Sequence, residues 1–196
     1  MVAPDYAGPL VGWRGWLVVS LEEAFRLCSP VYPTVWLPRR ATVADCLAEQ
    51  GLAGLPAPAE HPAPEERCRC GIYASDSPVA AASFIRSPRL SRRSPGLSWR
   101  QPRVQAPVFG RVSLWGRIVE CDRGWRGERA YPALLYVPVL AGDAHRFVPQ
   151  PDTPSLPPEA VAAALAAYGV PVELLSCETL EQAASELEAA EQPQDR

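Results

Sequence analysis

The sequence predicts an α+β fold, mainly antiparallel β, with a zinc-stapled N-terminal portion and one or two C-terminal helices. Three observations predict it. Residues 108–121 alternate with the period of a strand: Val108, Gly110, Val112, Leu114, Gly116 and Ile118 share one face, and Phe109, Arg111, Ser113, Trp115, Arg117 and Val119 share the other. Proline is dense, 23 residues in 196, which interrupts helices and favours loops of preset φ. The clearest helical signals come late, at Pro157-Pro158-Glu159-Ala160 and along Thr179–Glu191.

In chain order, residues 12–19 read as a first strand, aromatic and β-branched after a Gly-Pro turn. Residues 20–28 stay open between a short helix, capped by the Ser20-Leu21-Glu22-Glu23 box, and a strand at Phe25–Cys28. Residues 34–37 read as a strand ended by Pro38, and residues 41–50 as a helical turn or two carrying Val43, Cys46 and Leu47 on one face. A Pro/Ala-rich loop fills 51–67, followed by a short strand at 70–74 and a short helix at 77–85 with Pro78 in its first turn. Residues 86–107, rich in Ser, Pro and Arg, read as a mobile loop. The strand at 108–121 turns at Asp122-Arg123-Gly124 and returns antiparallel over 129–137, with Pro132 near its start or on an edge. A helix from Pro157 to Tyr168 stops at Gly169, a strand follows at 170–175, and an acidic amphipathic helix over 179–191 puts Leu180, Ala183, Ala184 and Leu187 on one stripe. The expected organisation is a β-rich portion over 1–85 with the Cys/His site, the loop 86–107, a hairpin portion with a helix over 108–176 sharing one core with 1–85, and an acidic helix and tail over 177–196.

Composition sets the class. A hydrophobic content of 47% opposes wholesale disorder. All 19 basic residues are Arg, and the net charge is −3. From Ser77 to Val119 there is no acid, while seven acids lie from Glu173 onward. Such polarity marks either a basic partner site or an internal charge complement, and a solvated basic loop beside a solvated acidic helix is the plainer reading. The expectation for partners is a protein, or weak nucleic-acid binding through Arg86, Arg89, Arg92 and Arg93, with no membrane. No basic n-region precedes an apolar run, and six cysteines are too few for a dense disulfide framework, so a reducing cytoplasm is expected.

The residues that carry chemistry are Cys46-x14-His61-x6-Cys68-x-Cys70-Gly71. Three thiols and an imidazole match a closed tetrahedral structural zinc site in number and type. A Cys-x-Cys-Gly segment can turn tightly if Gly71 takes positive φ, and Pro62 and Pro64 stiffen the path to Cys68. Arg67 and Arg69 flank the thiols and would favour thiolate. The competing readings are unliganded core thiols with an ordinary His, a nucleophilic cysteine served by His61, and an iron–sulfur centre.

His61-Pro62-Ala63-Pro64, Cys68-Arg69-Cys70-Gly71-Ile72-Tyr73-Ala74, Leu114-Trp115-Gly116, Gly124-Trp125-Arg126 and Ala130-Tyr131-Pro132 occur in that order. Together they resemble a group of uncharacterised bacterial proteins that share an H-x-A-P…C-x-C-G-I-Y-A core, with no known activity. The resemblance implies that Cys46, His61, Cys68 and Cys70 act as a unit.

Weaker features have plain alternatives. Glu120, Arg126, Glu128, Arg129 and Tyr131 gather at the hairpin end, where cross-strand ion pairing on a solvated surface competes with a polar site. The tryptophans Trp13, Trp16, Trp36, Trp99, Trp115 and Trp125 suit core packing more simply than base stacking. Cys28, Cys121 and Cys177 read as isolated core residues, and His145 as a surface histidine. No Gly-rich phosphate loop, GxSxG elbow or HExxH helix is present. The function expected is a non-catalytic binding module with structural zinc; the alternative is a cysteine-nucleophile or zinc-dependent enzyme at the same cluster.

Overall fold

The computed structural model describes residues 8–21, 24–31, 34–46, 61–86, 103–140 and 156–191. Its elements are β1 (Leu10–Leu21), β2 (Ala24–Cys28), β3 (Val35–Trp36), β4 (Thr42–Val43), β5 (Ile72–Ser75), α1 (Pro78–Arg86), β6 (Arg103–Cys121), β7 (Gly124–Leu140), α2 (Pro158–Leu165) with a 3₁₀ turn to Tyr168, β8 (Val172–Cys177) and α3 (Leu180–Glu191). The α+β class holds: antiparallel strands dominate, and two helices lie in the C-terminal part.

The scaffold is the β6–β7 hairpin. Asp122 and Arg123 form its turn, and Gly124 restarts the chain at φ 130°, where a Cβ would lie 2.1 Å from the Ala74 carbonyl oxygen. Pro132 is accommodated at a register shift between Arg111 and Val112, where the ladder is already broken. β1 lies antiparallel along the other edge of β6, from Leu10↔Leu114 to Ser20↔Arg103. The far edge of β7 is shared in turn by β5, β4 and, in parallel, β8. The far edge of β1 meets β5 at Trp13↔Ser75 and then β2 from Leu17 to Leu21. Pairing therefore closes a circuit, β1–β6–β7–β5–β1, with β2–β3 as a side branch.

Alternation along β1 assigns the two faces. Trp16 and Val18 join Val108, Val112, Leu114 and Leu135 in one core, which α2 closes with Val161, Leu165 and Tyr168. Trp13, Leu17 and Val19 join Phe109 in a second core, covered by α1 through Ala81, Ala82 and Ile85 and by α3 through Leu180, Ala183 and Ala184. Tyr168 ties the end of α2 to β2 and β3: its hydroxyl donates to the Trp36 carbonyl at 2.6 Å and accepts the Leu27 N–H at 2.8 Å. The acidic helix is partly an internal complement, because Glu191 pairs with Arg111 and accepts the Trp13 indole N–H at 3.2 Å.

Several expectations are corrected. The helical turn expected from residue 41 is a two-residue strand followed by irregular chain to Cys46, because β7 offers Thr42 and Val43 an open edge. Within the open segment at 20–28, Ser20 and Leu21 end β1 and Ala24–Cys28 form strand β2, drawn into register by β1. β6 starts at Arg103, inside the span expected to be loop, because β1 continues past Val108 and pairs it. Residues 87–102, with Arg89, Arg92, Arg93 and Trp99, and His145 lie outside the described residues. No described helix is long and apolar enough to cross a membrane.

Candidate metal centre

The four residues converge. Cys46 is placed by β4: Thr42 and Val43 pair with Ala130 and Arg129, and the Ala44 N–H donates to the Glu128 carbonyl at 2.7 Å. Cys68 and Cys70 come from the turn that feeds β5, closed by the Cys68 N–H on the Glu65 carbonyl at 3.1 Å. Gly71 leaves the turn at φ 120°, the positive value expected from the sequence; a Cβ there would lie 2.9 Å from Pro64 and 3.0 Å from Arg126. Cys46 Sγ lies 3.5 Å from His61 Nε2 and 3.8 Å from Cys68 Sγ, and Cys70 Sγ lies 4.0 Å from His61 Nδ1. One ligand atom from each residue lies within 4.8 Å of the others, close enough to hold a metal ion. Cys46 and Cys70 are buried with Ala63 in a small cluster of their own, so the site is walled off from water on one side.

The thiols are electrostatically unequal. Desolvation pushes Cys68 up, but hydrogen bonds from the Cys70 backbone, the Cys70 and Cys46 thiols and His61 outweigh it and bring the thiol down to about 7. Cys70 goes the other way, to about 11, chiefly by desolvation and by its place beside Cys68 and Cys46. The lowering at Cys68 thus arises inside the cluster, not from the flanking arginines Arg67 and Arg69, which are exposed. Two acceptor-rich sulfurs and an imidazole around one lowered thiol form a donor set that suits a soft or borderline divalent cation.

The residue that reading the sequence missed is Arg126. Assigned there to a solvated hairpin end, it is buried, and its Nη1 donates to the carbonyls of Glu65 (3.2 Å), Cys70 (2.9 Å) and Cys68. Its Nε reaches Cys121 Sγ at 3.4 Å. One β7 side chain therefore gathers the turn that presents two of the four ligands. The signal was the co-occurrence of Gly124-Trp125-Arg126 with the Cys-x-Cys segment. The rest of that hairpin group is ordinary: Arg129 pairs with Glu128 at 3.3 Å on the surface, and Glu128 accepts the Arg117 N–H at 3.1 Å. Trp13, Trp16 and Trp36 are core; Trp115 and Trp125 are half-buried. Cys28 and Cys177 are buried as expected, whereas Cys121 is only half-buried.

No protein-family model matches the chain, and neither the curated proteins nor the solved structures hold a match to it.

Proposed function

We propose that this chain is a non-catalytic binding module in which Cys46, His61, Cys68 and Cys70 hold one structural zinc ion. The carrying observation is the spacing of the ligand atoms. Tetrahedral zinc, with bonds of about 2.3 Å to sulfur and about 2.0 Å to nitrogen, separates two sulfurs by about 3.8 Å and a sulfur from a nitrogen by about 3.5 Å. The Cys46–Cys68 and Cys46–His61 separations are 3.8 and 3.5 Å. His61 Nδ1 lies 3.4 Å from the Pro62 carbonyl, a partner that would leave Nε2, 3.5 Å from Cys46 Sγ, to the metal.

Four protein ligands fill a tetrahedral shell and leave no position for a substrate or an activated water, which disfavours a zinc hydrolase. A cysteine nucleophile would need a base oriented by a third group, and among the described residues the only oxygen partner of His61 is the neighbouring Pro62 carbonyl. Metal analysis of natively purified protein should give one equivalent of zinc; much less than one refutes the reading. Alkylation separates it from the enzyme. A thiol brought down to about 7 is about half thiolate near neutrality when metal-free, far more than an unperturbed cysteine. Slow labelling of Cys68 that becomes fast after chelation supports the closed site, and fast labelling without chelation supports the nucleophile.

A further inference from the structure

A cavity of about 320 Å³ lies beside the metal cluster, where β1 changes partner from β5 at Trp13 to β2 at Leu17. The change leaves Arg14 and Gly15 on an unpaired stretch of edge, and both line the cavity. The Arg14 guanidinium is held by neighbours that line the same cavity. One Nη donates to the Tyr73 carbonyl, the other to Ser29 Oγ at 2.9 Å, and the guanidinium carbon lies 5.1 Å from the centre of the Trp36 ring. Its Nε is buried without a partner. No carboxylate among the described residues forms an ion pair with it. Desolvation drags its pKa down to about 10, so it stays charged at neutral pH.

A second unused donor stands beside it. Ser29 Oγ accepts from Arg14 and from the Trp36 indole N–H at 3.0 Å, so its own proton has no acceptor among the described residues. Ser29 is itself buried. A half-buried cation with no ion-pair partner among the described residues, a buried Nε–H and a buried hydroxyl proton without acceptors are costly unless something supplies the anion. Around them the walls are largely apolar, with Trp36, Ile72, Tyr73 and Phe84, and Phe84 is 48% exposed at the edge. At the rim Asp45 and Arg69 carry opposite charges, which leaves the single charge of Arg14 to be matched.

We propose that this cavity binds a small organic monoanion, a carboxylate on an apolar or aromatic body, with the carboxylate on Arg14 and Ser29. One cation unpaired among the described residues balances one negative charge, which favours a carboxylate over a phosphate dianion. Guanidinium and carboxylate match in geometry, and the volume is at the lower end of small-molecule sites, which run from about 300 to 1,000 Å³. Arg69 and Gly71 of the metal turn and Ala44 and Asp45, which precede Cys46, form one wall, so metal binding would shape the site without touching the ligand.

The test uses naphthalene-2-carboxylate, its neutral amide and phenyl phosphate, titrated against the metal-loaded full chain by ligand-observed NMR. The carboxylate should bind at least tenfold tighter than the amide. Arg14→Gln should erase that preference, and Arg14→Lys, which keeps the charge but loses the fork, should retain part of it. Equal affinity for acid and amide, no binding of either below millimolar, or a preference untouched in Arg14→Gln would each overturn the proposal. Tighter binding of phenyl phosphate would overturn the carboxylate assignment in favour of a phosphate ligand. Metal content is measured on the same samples, so failure of the zinc reading and failure of this one are read separately.

Discussion

Arg126→Met tests whether a β7 side chain sets the affinity of the metal site. Methionine keeps much of the volume and removes every donor. The two N–H groups of Nη1 are shared among the Glu65, Cys68 and Cys70 carbonyls, so two full bonds are lost, together with the weaker one from Nε to Cys121 Sγ. Hydrogen bonds from a charged donor contribute about 1.5–3 kcal/mol each, and relief of the guanidinium's own burial offsets part of that. A net loss of about 2–4 kcal/mol in stability follows. The same carbonyls fix the turn that carries Cys68 and Cys70, so a share of the loss falls on metal binding. Outer-shell partners of metal sites typically change affinity by about 10–100-fold. Competition for zinc against 4-(2-pyridylazo)resorcinol should show a loss in that range, with Arg129→Met as the control, since its ion pair to Glu128 is on the surface and contributes about 0–1 kcal/mol. An Arg126→Met protein that folds and holds zinc within threefold of the parent would refute the reasoning.

Two further outcomes follow from the packing. Gly71→Ala places a Cβ at φ 120° against Pro64 and Arg126; such backbone strain costs about 1–3 kcal/mol, and thermal melts with and without zinc should show the larger shift in the zinc-bound form. Tyr168→Phe leaves the Leu27 N–H and the Trp36 carbonyl without their partner, a loss of about 2–4 kcal/mol in urea unfolding. Burial raises the Tyr168 phenol to about 12, against about 10 in an unfolded chain. The folded state therefore holds this proton more tightly, so the stabilisation is full below pH 10 and is lost as pH rises through 12. Tyr168→Phe should flatten that alkaline decline, and an unchanged slope would contradict the burial.

What was legible in the sequence was what local pattern determines. The alternation along 108–121 placed Val108, Val112 and Leu114 on one face and Phe109 on the other, as they are. The stripe Leu180, Ala183, Ala184 and Leu187 faces the second core, and Gly169 ends its helical segment at φ 70°. The clustering of Cys46, His61, Cys68 and Cys70 was legible because thiols and imidazoles have few other reasons to gather. What was not legible depended on distant partners. Residues 42–43 carry a helix-compatible pattern, and only the edge of β7 makes them a strand. Arg126 looks like a surface arginine until the carbonyls of a turn 56 residues away bury it, and Arg14 until the open edge of β1 leaves it half-buried in the cavity lining. A charge run in the sequence says nothing about which arginine goes inside.

The closed circuit of strands also implies an order of assembly. β6 and β7 are joined by two residues and can zip from their turn, whereas Leu10 must find Leu114 across about a hundred residues of chain. β5 can pair with β7 only once Gly124–Gly127 is extended, and it meets β1 at a single residue pair. The hairpin is therefore the natural nucleus, β1 the slow entropic step, and the four residues of the Cys/His cluster, which flank β4 and β5, the last to converge. In pulsed hydrogen exchange, amides of residues 109–136 in the hairpin should be protected before those of Leu17–Leu21, and zinc should change the final stability far more than the first rate.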